Sequence, residues 1–238
     1  MKTSEERILT THAGSLPRPE RLAEMLIQRE RGTQVNDAEF DTEVATAMDW
    51  VVEKQRESGI DIGNDGEESR VGFQTYVAQR MSGFGGESPR KMLTDMVRFP
   101  KYAEMFTERI WSHDAQRPKV WNAPQAEQVV KYESDLKDII FELNHFDGAL
   151  ERTTTSFTET FVTAASPGIV STTMLRAKNN PKYTTDTDYV MALALEMKKE
   201  YDAIVMGGHI LQIDSPDLAM ERQFMFQERP LKEFLDRI

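Results

Sequence analysis

The sequence predicts an α/β fold built around a parallel sheet. Short β-prone runs alternate with amphipathic helical segments along the 238 residues, and this alternation is typical of parallel sheets. The clearest helix begins near Asp37 and stops at Ser58 and Gly59, and a strand begins directly after it at Ile60. About five such strand–helix units fit the chain.

The other elements are predicted from the same periodicities. Further strands are predicted at residues 8–12, 119–121, 128–132, 159–165 and 209–213. Further helices are predicted at residues 135–143, between Pro181 and Gly207, and from Glu221 onward. Turns at residues 82–86 and 166–168 are expected to interrupt regular structure, because glycine and proline break it.

The acidic composition argues against two classes of partner. The formal net charge is −11 and the sequence pI is near 5.0, whereas nucleic acids and anionic membrane surfaces require a basic footprint. Cys is absent, so the chain can form neither a disulfide nor a thiolate metal site, which fits a cytoplasmic protein. No apolar run approaches the roughly 20 residues of a membrane-spanning helix. We therefore expect no nucleic-acid and no membrane partner.

One acidic loop stands out, at residues 60–70. It begins as a short strand, is broken by Gly66, and carries Asp65, Glu67 and Glu68 before a helical segment starts. Loops that follow parallel strands carry the chemistry of many α/β proteins. The alternative, that these carboxylates are simply solvated, is equally compatible with this loop taken alone.

Polar residues follow four of the predicted strands. If the sheet is parallel, these strand ends share one edge, and their side chains should meet there. The candidate site residues are His12, Gly14, Ser15, Asp65, Glu67, Ser166 and Asp214.

The types of these residues suggest a receptor for an amino acid. Glu67 and Asp214 facing each other could clamp an ammonium group or could share a proton as an acid–base pair. Ser15 and the backbone N–H groups around Gly14 could hold a carboxylate. Purely structural roles stay open for several of them: a turn residue for Ser15, a helix cap for Asp214 and a structural histidine for His12.

Four motifs in fixed order resemble a known family. They are TTHAGSLPRP at residues 10–19, GEESR at 66–70, ASPG at 165–168 and LQIDSP at 211–216. This set resembles the cobalamin-independent methionine synthases, in particular their short single-barrel members, over nearly the whole chain.

That resemblance implies a TIM-type (β/α)8 barrel and a zinc-dependent methyl transfer. The donor would be a folate-type molecule and the acceptor a thiol such as homocysteine, activated as a thiolate by zinc. The resemblance places the amino-acid carboxylate on Ser15 and the amino group on Glu67 and Asp214, in agreement with the chemistry inferred from the residue types.

The sequence also departs from the family pattern. The family's zinc ligands lie in a downstream His-x-Cys segment and later Glu and Cys positions, which this chain lacks. We therefore expect a single incomplete barrel domain over residues 1–238, with little zinc, little turnover, and open sheet edges that favour an oligomer or a complementing chain.

Two residues put homocysteine in doubt as the acceptor: His12, unusual in the synthase itself, and Ser215, which replaces an acid. Two other functions therefore stay open. One is alkyl transfer to a different thiol, as in epoxyalkane–coenzyme M transferases, and the other is a non-catalytic subunit or scaffold.

Overall fold

A computed structural model of the chain describes residues 1–89, 93–111, 123–153 and 156–236. Its helices are α1 (Glu20–Glu30), α2 (Asp37–Glu57), α3 (Val77–Arg80), α4 (Thr94–Arg98), α5 (Pro100–Trp111), α6 (Lys137–Arg152), α7 (Pro167–Thr173), α8 (Asp186–Met206), α9 (Asp217–Met220) and α10 (Leu231–Leu235). Its strands are β1 (Ile62–Asn64), β2 (Met81–Gly85), β3 (Gln125–Tyr132), β4 (Glu159–Ala165) and β5 (Ile210–Asp214).

The predicted parallel sheet is confirmed. Strands β1, β4 and β5 pair side by side in that order, and both pairings are parallel. The N-terminal run at residues 8–12 adds one parallel bridge, from Thr11 to Ile62, but no full strand among the described residues. Strand β4 has the predicted bounds, and β5 lies one residue later than predicted.

The turn predicted at residues 82–86 is wrong, because residues 82–85 belong to strand β2 and Gly86 follows the strand in a bend. This strand pairs antiparallel with β3 as a separate two-stranded sheet, with an irregular register at Gly83. A Cβ on Gly83 would lie 2.3 Å from the backbone oxygen of Val129, so glycine is needed here for close strand approach rather than for a turn. The predicted strand at residues 128–132 is confirmed within β3, but it joins this two-stranded sheet and not the parallel sheet.

Three further expectations need correction or lie outside the described chain. Residues 166–168 do not end regular structure; Ser166 caps α7, its hydroxyl accepting a hydrogen bond from the backbone N–H of Ile169 at 3.1 Å, and Pro167 fits the first helical turn. Beyond Glu221 the chain forms mainly turns before the short α10. The strand predicted at residues 119–121 lies outside the described residues.

The two faces of β4 lie in different environments. Val162 and Ala164 pack in an apolar cluster with side chains from α2, α6 and α8. Thr163, between them, points to the opposite face, as strand geometry requires, and contacts polar groups there. The polar face of β4 is therefore the side on which the candidate site is built.

Within the described ranges, the chain has no helix with the length and apolarity that a bilayer crossing requires.

Candidate functional site

A cavity of about 450 Å³ lies at the carboxyl ends of β1 and β5. Gly14, Ser15, Glu67 and Asp214, four of the residues singled out from the sequence, meet at this cavity. The other lining residues are Phe73, Ile213, Ser215 and Pro216. The cavity therefore combines a hydroxyl, two carboxylates and an apolar wall.

Glu67 is the buried centre of this arrangement. Its side chain is 1% exposed, and each carboxylate oxygen accepts one hydrogen bond from a hydroxyl. Ser15 Oγ donates to Oε2 at 2.8 Å, and Thr163 Oγ1 donates to Oε1 at 3.1 Å. Ser15 is exposed to the cavity, whereas Thr163 is buried.

The loop backbone fixes the position of Glu67. Glu67 has φ +57°, a left-handed conformation that is unusual for a residue with a side chain. Its N–H donates to Asp65 Oδ1 at 3.1 Å, and its carbonyl oxygen accepts from Arg18 Nη2 at 2.6 Å. Gly66 is also left-handed, and a Cβ there would lie 2.9 Å from Val51 Cγ1, so the loop requires glycine at that point.

Asp214 enters the cavity from the end of β5. Gln212 Nε2 donates to Asp214 Oδ1 at 2.9 Å. The β4–β5 register pairs Thr163 with Gln212 and Ala165 with Asp214. Thr163 binds Glu67 and Gln212 binds Asp214, so the two polar side chains that hold the acids are neighbours across the sheet. Asp214 is only partly buried and can meet a ligand directly.

A buried ion network lies beneath Glu67. Arg70 donates to Glu142 through Nε at 2.9 Å and to Thr163 Oγ1 at 3.0 Å, and Arg80 bridges Glu142 and Glu200 at 2.7 and 2.9 Å. Burial alone raises the pKa of the Glu142 carboxyl, but the two guanidinium groups outweigh it and lower the pKa to about 2. Glu142 is therefore ionised and balances the arginines at neutral pH.

Two other acids of the loop differ from Glu67. Burial, with the charge of Glu142 adding to it, raises the pKa of Asp65 to about 7. Burial also raises the pKa of Glu68 to about 8, although the charge of Arg18 opposes that shift. Both side chains are fully buried, and neither lines the cavity.

Three residues predicted for the site do not line the cavity: Asp65, His12 and Ser166. The main-chain oxygen of His12 accepts a hydrogen bond from Asn64 Nδ2 at 2.8 Å. Ser166 caps α7 and donates to Asp217 Oδ1 at 2.8 Å, which is a structural role. Ser166 instead lines a neighbouring cavity beside α9.

The other histidines have structural contacts. His145 contacts the carbonyl oxygen of Phe141 at 2.8 Å and lies 3.2 Å from Asp41. His209 is hydrogen-bonded to Thr160 at 2.8 Å, at the start of β5 and away from the cavity. His113 lies outside the described residues.

Sequence reasoning missed the residues that hold the acids. The sequence marks Thr163 and Gln212 only as residues of predicted strands. Thr163 carried a usable signal, because it is a hydroxyl residue inside a strand whose neighbours are otherwise small or apolar. Its partners could not be identified without the strand register.

The described side chains do not fit the zinc site that the resemblance implies. No three His, Cys, Asp or Glu side chains among them converge closely enough to hold a metal ion, and the whole sequence contains no Cys. The thiolate and imidazole ligands typical of zinc are therefore not supplied by these residues.

Fold and cavity together define an α/β protein with an acidic cleft at the carboxyl ends of parallel strands. No family model matches the chain. The chain is 27% identical over 217 residues to methionine synthase of Sulfolobus acidocaldarius, an alignment that covers 90% of this chain and 53% of that protein.

A solved structure has the same fold. It is a B12-independent methionine synthase from Shewanella sp. W3-18-1 in complex with selenomethionine, similar with a TM-score of 0.58 and 21% identity over 88% of this chain and 52% of the other. The chain thus spans about half the length of these proteins. The chain is similar to methionine synthases in sequence and in fold, and the resemblance inferred from its four motifs is confirmed.

Proposed function

We propose that this chain supplies the amino-acid-binding part of a methionine-synthase-type methyltransferase site. In this proposal Ser15 donates to the ligand carboxylate, while Glu67 and Asp214 hold the ammonium group. The thiol would be methylated by a folate-type donor, with zinc held by ligands that the described residues do not provide. The chain would form part of one TIM-type barrel domain, whose early strands include β1, β4 and β5.

The observation that carries the proposal is the convergence of Ser15, Glu67 and Asp214 on one cavity. The three residues are far apart in sequence: Ser15 and Glu67 come from two loops, and Asp214 is the last residue of β5. Two carboxylates and a hydroxyl around a space of about 450 Å³ match the charges of a zwitterion, since each carboxylate gives a charge-assisted hydrogen bond to an ammonium group. The methionine synthase from Shewanella, whose structure contains selenomethionine, supports an amino-acid ligand.

The same charges disfavour coenzyme M. Coenzyme M carries a sulfonate and no ammonium group, so it would place an anion against Glu67 and Asp214 without a compensating cation. Two carboxylates that line one small cavity repel such a ligand. An amino-acid thiol therefore fits the site better than this alternative.

The proposal is tested by calorimetry with L-methionine as the probe. We expect wild-type protein to bind it, and Asp214→Asn to weaken binding about tenfold or more, since a charged hydrogen bond is lost. Ser15→Ala should weaken binding of L-methionine but not of 3-(methylthio)propylamine, which has no carboxylate. Ser82→Ala, which removes an exposed hydroxyl on β2, is the matched control and should leave affinity unchanged.

The opposite results are equally clear. Wild-type protein that binds coenzyme M and not L-methionine, or Asp214→Asn with unchanged affinity for L-methionine, would show that the cavity is not an amino-acid site of this kind.

A further inference from the structure

We propose that Thr163 is a positioning residue for Glu67, oriented in turn by Arg70, and that it controls how tightly the site holds an ammonium group. This inference rests on the proposed function, because it concerns the same ligand. Thr163 and Arg70 lie on the side of Glu67 that the ligand does not reach.

The hydrogen bonds of Thr163 have only one consistent direction. Arg70 Nη1 lies 3.0 Å from Thr163 Oγ1, and Nη2 donates to the main-chain oxygen of Thr163 at 2.8 Å. A guanidinium group can only donate, so Thr163 Oγ1 must accept from it. The single hydroxyl proton of Thr163 is then left for Glu67 Oε1, at 3.1 Å.

Burial makes this arrangement stable. Thr163 is 3% exposed, Arg70 1% and Glu67 1%, so water does not compete for these groups. Arg70 is itself fixed by Glu142, which accepts from its Nε at 2.9 Å. Arg70 thus donates to Glu142 and to Thr163, and Thr163 donates to Glu67 at the cavity.

The two hydroxyls on Glu67 have different roles in this arrangement. Ser15 is exposed to the cavity, so its proton can turn from Glu67 to a ligand carboxylate, which frees Oε2 for the ammonium group. Thr163 is buried and keeps its bond to Oε1. The backbone of Glu67 has an unusual left-handed conformation. The fixed hydrogen bond from Thr163 keeps the Glu67 carboxylate in place when the Ser15 hydroxyl turns to the ligand.

The test compares two ligands that differ only in the amino group, L-methionine and 4-(methylthio)butyrate. Thr163→Val keeps the shape of the side chain but removes the hydroxyl. We expect it to weaken binding of L-methionine about tenfold, the effect of losing one hydrogen bond to a charged group. Binding of 4-(methylthio)butyrate, followed by ligand-observed NMR, should not change. Thr163→Ser keeps the hydroxyl and should restore the affinity for L-methionine.

Each other result decides against the positioning role. Equal affinities of Thr163→Val and wild type for L-methionine overturn it, and so does an equal loss for both ligands, which indicates a general structural role. If the valine variant does not fold, Thr163→Ala gives the same comparison, and a serine variant that is selectively weak for L-methionine also overturns it. Wild-type protein that binds neither ligand overturns the proposed function and this inference with it.

Discussion

Three neighbouring acids in one loop have three different environments. Glu67 accepts two hydroxyl hydrogen bonds at the cavity, and Asp65 accepts one from the loop backbone. Glu68 is fully buried, and both of its carboxylate oxygens are without a hydrogen-bond partner among the described residues. A buried carboxyl in this position is favoured in its neutral form. An acidic side chain thus lines the cavity at one position of the loop and is buried away from the cavity at the next.

The environment of Glu68 makes stability depend on pH. Its pKa is raised from 4.5 to about 8 in the folded state, so the unfolded chain binds fewer protons between these values and stability falls as pH rises through them. Glu68→Gln removes this contribution and should stabilise the protein at about pH 8 by about 1–3 kcal/mol, with a smaller difference at about pH 5. Urea denaturation at several pH values measures this.

A matched substitution separates burial from loss of charge. Glu151 lies exposed on α6, so Glu151→Gln should leave the pH profile unchanged. The raised pKa of Asp65, about 7, keeps some pH dependence in both variants. A difference between Glu68→Gln and wild type that is constant with pH would contradict the assignment.

The sequence predicted which residues meet, but not how they are held. Ser15, Glu67 and Asp214 could be placed together because each is predicted to follow a strand, and parallel strands end at one edge. His12, Asp65 and Ser166 follow strands too, yet their side chains do not line the cavity. Position after a strand determines the edge, whereas the direction of a side chain depends on local backbone angles and hydrogen bonds.

At the scale of elements, the buried ion network joins parts of the chain that are otherwise separate. Glu142 on α6 accepts from Arg70, the last residue of the acidic loop, and from Arg80 on α3. Arg80 also binds Glu200 on α8, and Tyr76 and Tyr132 donate to the same glutamate. The network therefore connects the loop that carries Glu67 to strand β3 and to helices α3, α6 and α8.

Loss of Glu142 should be costly because two guanidinium groups depend on it. We expect Glu142→Gln to lower the free energy of unfolding by about 3–5 kcal/mol, the usual effect of removing one partner from a buried ion pair. Chemical denaturation at neutral pH measures the change, and Glu151→Gln on the same helix is the control. A loss similar to that of the control would mean that the network contributes little to stability.

The element predictions failed where glycine and proline had more than one possible role. Gly83 was interpreted as part of a turn, but it allows two strands to approach closely. Pro167 was interpreted as a break, but it lies in the first turn of α7. In both cases the residue is compatible with either local structure, and the tertiary pairing decides between them.

At the scale of the whole molecule, strand β5 has an unpaired edge. Within the described ranges β5 pairs only with β4, and Ile213 is 46% exposed beside the cavity. An unpaired strand edge with apolar side chains is a template for pairing with another chain.

We therefore expect the 238-residue chain to associate with itself or with a complementing chain through β5. Light scattering after size-exclusion chromatography should show an average mass that rises with protein concentration. Ile213→Lys should reduce this association, because a charged residue on an edge strand disfavours pairing. Leu195→Lys, which changes an equally apolar residue that is 68% exposed on α8, should have no such effect. A wild-type chain that stays a compact monomer at every concentration, or an equal response to both lysine variants, would show that the β5 edge is not the contact surface.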